Sequence, residues 1–197
     1  DYKMLISNQV IIKHIHENHP DSNVYVVGTK YLVNDFIEQG INVTEADCDI
    51  VVIGFDTTLT YEKLVKACDF VRNGATLYGV NMDYNCPTET GFIPDCGSIC
   101  QLVFASTGIK AEFFGKPSKH TAKYIFEKTG YDKDLLAIIG DRLYTDIALG
   151  ADNGFTSILV LSGESSCEDM NRSDIKPDLV YSSLKDISEE LKKIYNV

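Results

Sequence analysis

The feature that most constrains this chain is a repeated alternation of two patterns. A short apolar run closes on a glycine, and a segment with helical spacing follows. Residues 24–27 run into Gly28, and 30–39 then place Tyr31, Leu32, Phe36 and Ile37 at helical intervals before Gly40. Residues 49–53 end at Gly54; Thr60 is placed to cap a helix over 61–72 that Gly74 stops. A strand is expected over 76–80, a long loop over 85–97 (Pro87, Gly91, Pro94, Gly97) and a helix over 98–106. A second series follows: strand 112–114, helix 119–128, strand 135–139, a helix from Asp146, strand 156–161, strand 179–181 and a last amphipathic helix after Ser183. Such alternation folds as α/β, with a parallel sheet covered on both faces. The unbroken apolar run 135–139 reads as a central strand. A boundary near residues 108–110 divides the chain into 1–108 and 109–197.

Composition excludes several classes. The 197 residues are 44% hydrophobic and 24% charged, so the chain is neither disordered nor fibrous. Eighteen basic against 29 acidic side chains leave a net charge of −11, which argues against nucleic acid or an anionic membrane as partner. No apolar run reaches the length of a membrane-spanning helix. An acidic protein binds phosphate only through local cations, a metal ion together with a placed Lys or Arg. The six cysteines show no two-residue spacing and read as reduced thiols of a cytoplasmic protein; Cys96, Cys100 and His120 leave a zinc site as a minor alternative. His14 and His16 fall on an amphipathic helix and are expected in solvent.

Two strand ends carry candidate chemistry. In Gly115-Lys116-Pro117-Ser118, glycine permits a tight turn and proline suits the first helical turn, so Lys116 stands beside free helix N–H groups that favour an anion. The alternative is an ordinary surface lysine. In Gly140-Asp141-Arg142-Leu143-Tyr144-Thr145-Asp146, Asp141 ends the strand and Asp146 lies about one turn on. Magnesium takes one or two such carboxylates plus water and substrate oxygens. The alternative is a pair of helix-capping aspartates. One helix separates the two motifs, so they fall on neighbouring elements, and a lysine with paired carboxylates suits phosphoryl chemistry.

These two segments resemble the third and fourth motifs of the haloacid dehalogenase-like (HAD) hydrolases. Residues 52–64, Asn81-Met82-Asp83 with Pro87, Gly91-Phe92-Ile93-Pro94 with Gly97-Ser98, and Leu159-Val160-Leu161-Ser162-Gly163 resemble the NagD and 4-nitrophenylphosphatase branch. The resemblance covers nearly the whole chain. It implies a Rossmann-like parallel core over 109–197 whose first part is missing, and a large α/β cap over 1–108. It also implies a magnesium-dependent phosphatase that hydrolyses a small phosphorylated metabolite through an aspartyl-phosphate. The alternative is a non-catalytic protein that keeps the fold for binding or assembly. By the same resemblance Lys116 stabilises the transferring group, Asp141 ligates Mg2+, Asp146 supports that site, Asn81 and Asp83 lie near the substrate, and two copies pair through the cap. The family's first two motifs, with the nucleophilic aspartate, are not in this sequence. Asp1 and Ser7 do not replace them, and Asp56-Thr57-Thr58 sits in the cap. The nucleophile is therefore expected upstream, residues 1–197 alone are expected to be inactive, and strand 135–139 is expected to have an open edge beside it.

Overall fold

The computed structural model describes residues 4–195; Asp1 lies outside that range. The chain forms two compact units, Asp1–Gly115 and Lys116–Val197.

The first unit begins with α1 (Ser7–Asn18). There follow β1 (Asn23–Val27), α2 (Lys30–Glu38), β2 (Asn42–Val43), β3 (Ile50–Ile53), α3 (Tyr61–Arg72) and β4 (Thr76–Gly79). A hairpin of β5 (Asn85–Thr88) and β6 (Gly91–Pro94), then α4 (Cys96–Thr107) and β7 (Glu112–Phe113), complete it. The sheet is parallel in the order β2-β1-β3-β4-β7. All four residues of β3 are buried, as strands covered on both faces require. On one face Val27, Val51, Ile53 and Leu77 pack with Leu64, Ala67 and Val71 of α3 and Ile99 and Val103 of α4. Thr60 caps α3 as expected, its side chain accepting from the Lys63 backbone N–H.

Two details differ from the sequence reading. The segment 85–97 is a β-hairpin and a helix start, because Pro87 and Gly91 fall at the end and turn of a two-stranded ribbon rather than in a loop. The strand at Glu112–Phe113, read with the second series, pairs with β4 in the first unit's sheet. His14 is not a solvated helix side chain: its ring lies 4.8 Å from that of Phe114, and the Tyr78 hydroxyl lies 3.4 Å from its Nε2 and 3.2 Å from that of His19.

Asp56 is fully enclosed. Its Oδ2 takes the Lys63 ammonium at 2.6 Å, and its Oδ1 accepts from the Thr58 backbone N–H and hydroxyl at 2.8 and 2.6 Å. Lys63 also donates to the Gly28 carbonyl, tying the ends of β1 and β3 to α3. Burial pushes the Asp56 carboxyl up, but the Lys63 and Thr58 hydrogen bonds outweigh it and hold it below its ordinary value. Both oxygens are engaged, so Asp56 cannot attack a phosphoryl group.

The second unit contains α5 (Lys119–Thr129), β8 (Ala137–Gly140), α6 (Ala148–Asn153), β9 (Thr156–Val160), α7 (Cys167–Arg172), β10 (Leu179–Tyr181) and α8 (Leu184–Tyr195). Its parallel sheet has the order β10-β9-β8, so β9 is central and β8 is an edge. This is the open edge expected beside residues 135–139. Leu135 itself lies in a 3-10 turn and is 72% exposed, and Ile139 is 44% exposed. Ala122, Leu149 and Phe155 form a core on one side of the sheet; Ile158 and Val160 pack with Ile187 of α8. Among the described residues no helix is long and apolar enough to cross a membrane.

Two outcomes are expected. Lys63→Met leaves a buried carboxylate unpaired. It should cost on the order of 3 kcal/mol, the low end for such pairs, since Lys63 keeps 27% of its side-chain surface in water. Because the Asp56 carboxyl is held low when folded, its contribution is present above the unfolded value near 4 and fades as pH falls below it; Lys63→Met should flatten that acid limb in thermal melts between about pH 2 and 5. For the β8 edge, sedimentation velocity should show concentration-dependent association of residues 1–197 that Ile139→Lys reduces, since a charge on an edge strand opposes pairing.

Candidate active site

The site in the second unit is built on the carboxyl end of β8. In open α/β sheets that end faces the ligand crevice. Lys116 opens the unit, joined to Pro117 by a cis peptide bond, and Ser118 caps α5 by accepting from the His120 backbone N–H. The Lys116 ammonium forms an ion pair with Asp146 Oδ1; the lysine side chain is half exposed, while that of Asp146 keeps 8%. Asp146 Oδ2 accepts from the Arg142 backbone N–H at 3.3 Å. Asp141 Oδ2 accepts from the Glu164 backbone N–H at 2.8 Å, and its carbonyl accepts from the Ser165 N–H.

The local backbone explains why both carboxylates face this end. Residues Leu143–Ile147 form a π-helical turn, in which the Ile147 N–H reaches back five residues to the Arg142 carbonyl at 3.1 Å. That wide turn places Asp146 against Gly140. A Cβ on Gly140 would collide with the Asp146 carboxylate, and one on Gly163 would collide with that of Asp141. Both glycines are there for space, not for backbone conformation.

Lys116, Asp141 and Asp146 are thus assembled in one unit. Asn81 and Asp83 lie together in the first unit, on the loop after β4. Asn81 Oδ1 accepts from the Asp83 N–H at 3.0 Å, the Asp83 carbonyl accepts from the Gly97 N–H, and Gly97 and Gly115 have no room for a Cβ beside that loop. Cys96 and Cys100 are buried core residues; the Cys96 thiol donates to the Ile53 carbonyl and lies 4.0 Å from that of Cys100, whose thiol this neighbour and burial both push up. Sequence reasoning missed Glu164 and Ser165. The Gly163 that precedes them was visible as a motif, but its service to Asp141 depends on the loop after β9 folding over β8.

The donor set can hold a hard divalent cation. Asp141 and Asp146 offer carboxylate oxygens from one strand end, and the Asp141 Oδ1 has no hydrogen bond among the described residues. Among the described residues no group of three His, Cys, Asp or Glu side chains forms a metal cage. Magnesium needs only one or two carboxylates, with water and substrate completing its shell.

A lysine ion-paired with an aspartate beyond the end of a parallel strand, with a second aspartate at that end, suits phosphoryl chemistry. Comparisons with known proteins place it further. The HAD-hydrolase-like family matches residues 113–187. An acid sugar phosphatase from Staphylococcus epidermidis is 37% identical over 181 residues, spanning 91% of this chain and 70% of the relative. A crystal structure of a 4-nitrophenylphosphatase from Thermotoga maritima superposes with a TM-score of 0.89 at 40% identity, covering 94% of this chain and 71% of that one. NagD from Escherichia coli gives 0.85 at 30% identity, covering 92% and 71%. The chain belongs to the HAD hydrolases, in the NagD-like branch.

Gly140→Ala should force Asp146 off its partners. The expected cost is about 1–3 kcal/mol, the usual range for overpacking, read as a lower melting temperature of the second unit.

Proposed function

We propose that this chain supplies the lysine and carboxylate side of a magnesium-dependent phosphatase acting on a small phosphomonoester. The observation that carries the reading is the Lys116 ammonium held on Asp146 at the strand end that also bears Asp141. Lys116 keeps half its surface free, so its charge can meet a phosphoryl oxygen while Asp146 orients it. At about 4 Å and an effective dielectric near 20, such a charge pair is worth roughly 4 kcal/mol. Asp141 and Asp146 would hold Mg2+, which when bound supplies positive charge to the equatorial oxygens. The attacking group is an aspartate that residues 1–197 do not include, and it forms an aspartyl-phosphate. Asp56 is unavailable for that role, being locked to Lys63 and Thr58.

The first unit serves as the cap, and Asn81 and Asp83 contribute to substrate binding from its strand-end loop. The names of the relatives support a sugar phosphate or similar metabolite as substrate. Free cysteines support a reducing, cytoplasmic setting. Phe92, 73% exposed on the β5–β6 hairpin, supports pairing of two copies through the first unit.

The test is hydrolysis of 4-nitrophenyl phosphate by a form of the protein that includes the aspartate. Activity should require Mg2+ and vanish in a chelator, while residues 1–197 alone should show none. Lys116→Ala should lower kcat by roughly 10²-fold or more. Activity that survives chelation would remove the metal assignment, and a loss below about threefold would return Lys116 to an ordinary surface turn.

A further inference from the structure

Glu164 reaches the site twice, in different ways. Its backbone N–H donates to Asp141 Oδ2 at 2.8 Å. Its side chain bridges two residues of the segment that follows Asp141: Oε2 lies 2.7 Å from Arg142 Nε, and the Tyr144 hydroxyl donates to Oε1 at 3.1 Å. The neighbouring Ser165 adds two bonds between the same segments, its N–H donating to the Asp141 carbonyl and its Oγ accepting from the Leu143 N–H. The loop after β9 is therefore fastened to the loop after β8 on both sides of the Asp141 carboxylate.

We propose that Glu164 is a positioning residue for a divalent cation at Asp141. Clamped by Arg142 and Tyr144, it holds its own N–H on Oδ2 and so turns Oδ1 toward the cation. The inference rests on the metal reading of Asp141 given above. A carboxylate whose one oxygen is fixed by an N–H presents the other without paying the entropy of ordering it when the ion arrives. The Arg142–Glu164 pair is partly exposed, so its value lies in holding a geometry rather than in stability. Gly163 is required for the same reason: any larger residue would displace the carboxylate that Glu164 holds.

The experiment titrates 15N-labelled residues 1–197 with Mg2+ and follows the amide shifts of Asp141, Arg142 and Glu164. Glu164→Ala should weaken Mg2+ binding by roughly three- to tenfold, the lower part of the range for residues behind a metal ligand because the N–H itself remains. Glu164→Gln keeps one acceptor, for Arg142, and can donate its NH2 to the Tyr144 hydroxyl, so it should recover part of that loss. Glu168→Ala removes the same charge from α7, where Glu168 pairs with Arg172, and should leave the affinity within about twofold, since exposed charges are largely screened. Unchanged affinity in Glu164→Ala overturns the inference, and so does an equal loss in Glu168→Ala, which would reduce the effect to net charge. Failure of the unsubstituted chain to shift at Asp141 with Mg2+ overturns the metal reading and the inference with it.

Discussion

Parallel strands cannot stand alone. Their backbone groups are satisfied by pairing with neighbours, and the crossovers that join such strands put helices over both faces. This constraint sets β3 in the middle of the first sheet, with every residue buried, and β9 in the middle of the second. It also collects the strand ends on one side of each sheet, so that residues distant in sequence converge there. Asp141 leaves β8, the Glu164 loop follows β9, and the two meet through one N–H and one carboxylate. The chemistry at that end depends on the strands being in register, since a slip of one residue would turn Asp141 to the other face of the sheet.

Two charge pairs in the molecule show how surroundings decide what a carboxylate does. Asp56 and Asp146 each meet a lysine at a strand end. Asp56 has both oxygens filled by Lys63 and Thr58 and has no exposed side-chain surface, so it acts as a rivet between β3 and α3. Asp146 meets a lysine that is half in solvent, and Asp141, five residues before it at the end of β8, has one oxygen accepting from the Glu164 N–H. The sequence around Asp56 looks the more like a nucleophile motif, yet its geometry is that of a structural tie.

Much of this is legible in the sequence. The alternation of apolar runs and glycine-stopped helices located most of the strands, and Thr60, Gly108 and Gly130 cap or stop helices through local chemistry alone. Lys116 and Asp146 could be paired because one helix separated their motifs. Long-range facts were not legible. Residues 85–97 held turn residues that fit a hairpin as well as a loop, and His14 became an aromatic partner of Phe114 only because folding brings α1 beside Tyr78 of β4 and Phe114. Glu164 carried no signal of its own, since its role depends on which strand lies beside β9.

The π-helical turn at Leu143–Ile147 has a consequence for how this segment can change. A helical position turns by about 100° per residue. The wide turn absorbs one extra residue between the end of β8 and α6, and that residue is what swings Asp146 back over Gly140. Loss of a single residue between Asp141 and Asp146 would tighten the turn and carry the second carboxylate roughly a quarter-revolution away from Lys116. The number of residues between Asp141 and Asp146 therefore matters beyond their identity: the spacing works as a counted length, intolerant of insertion or deletion.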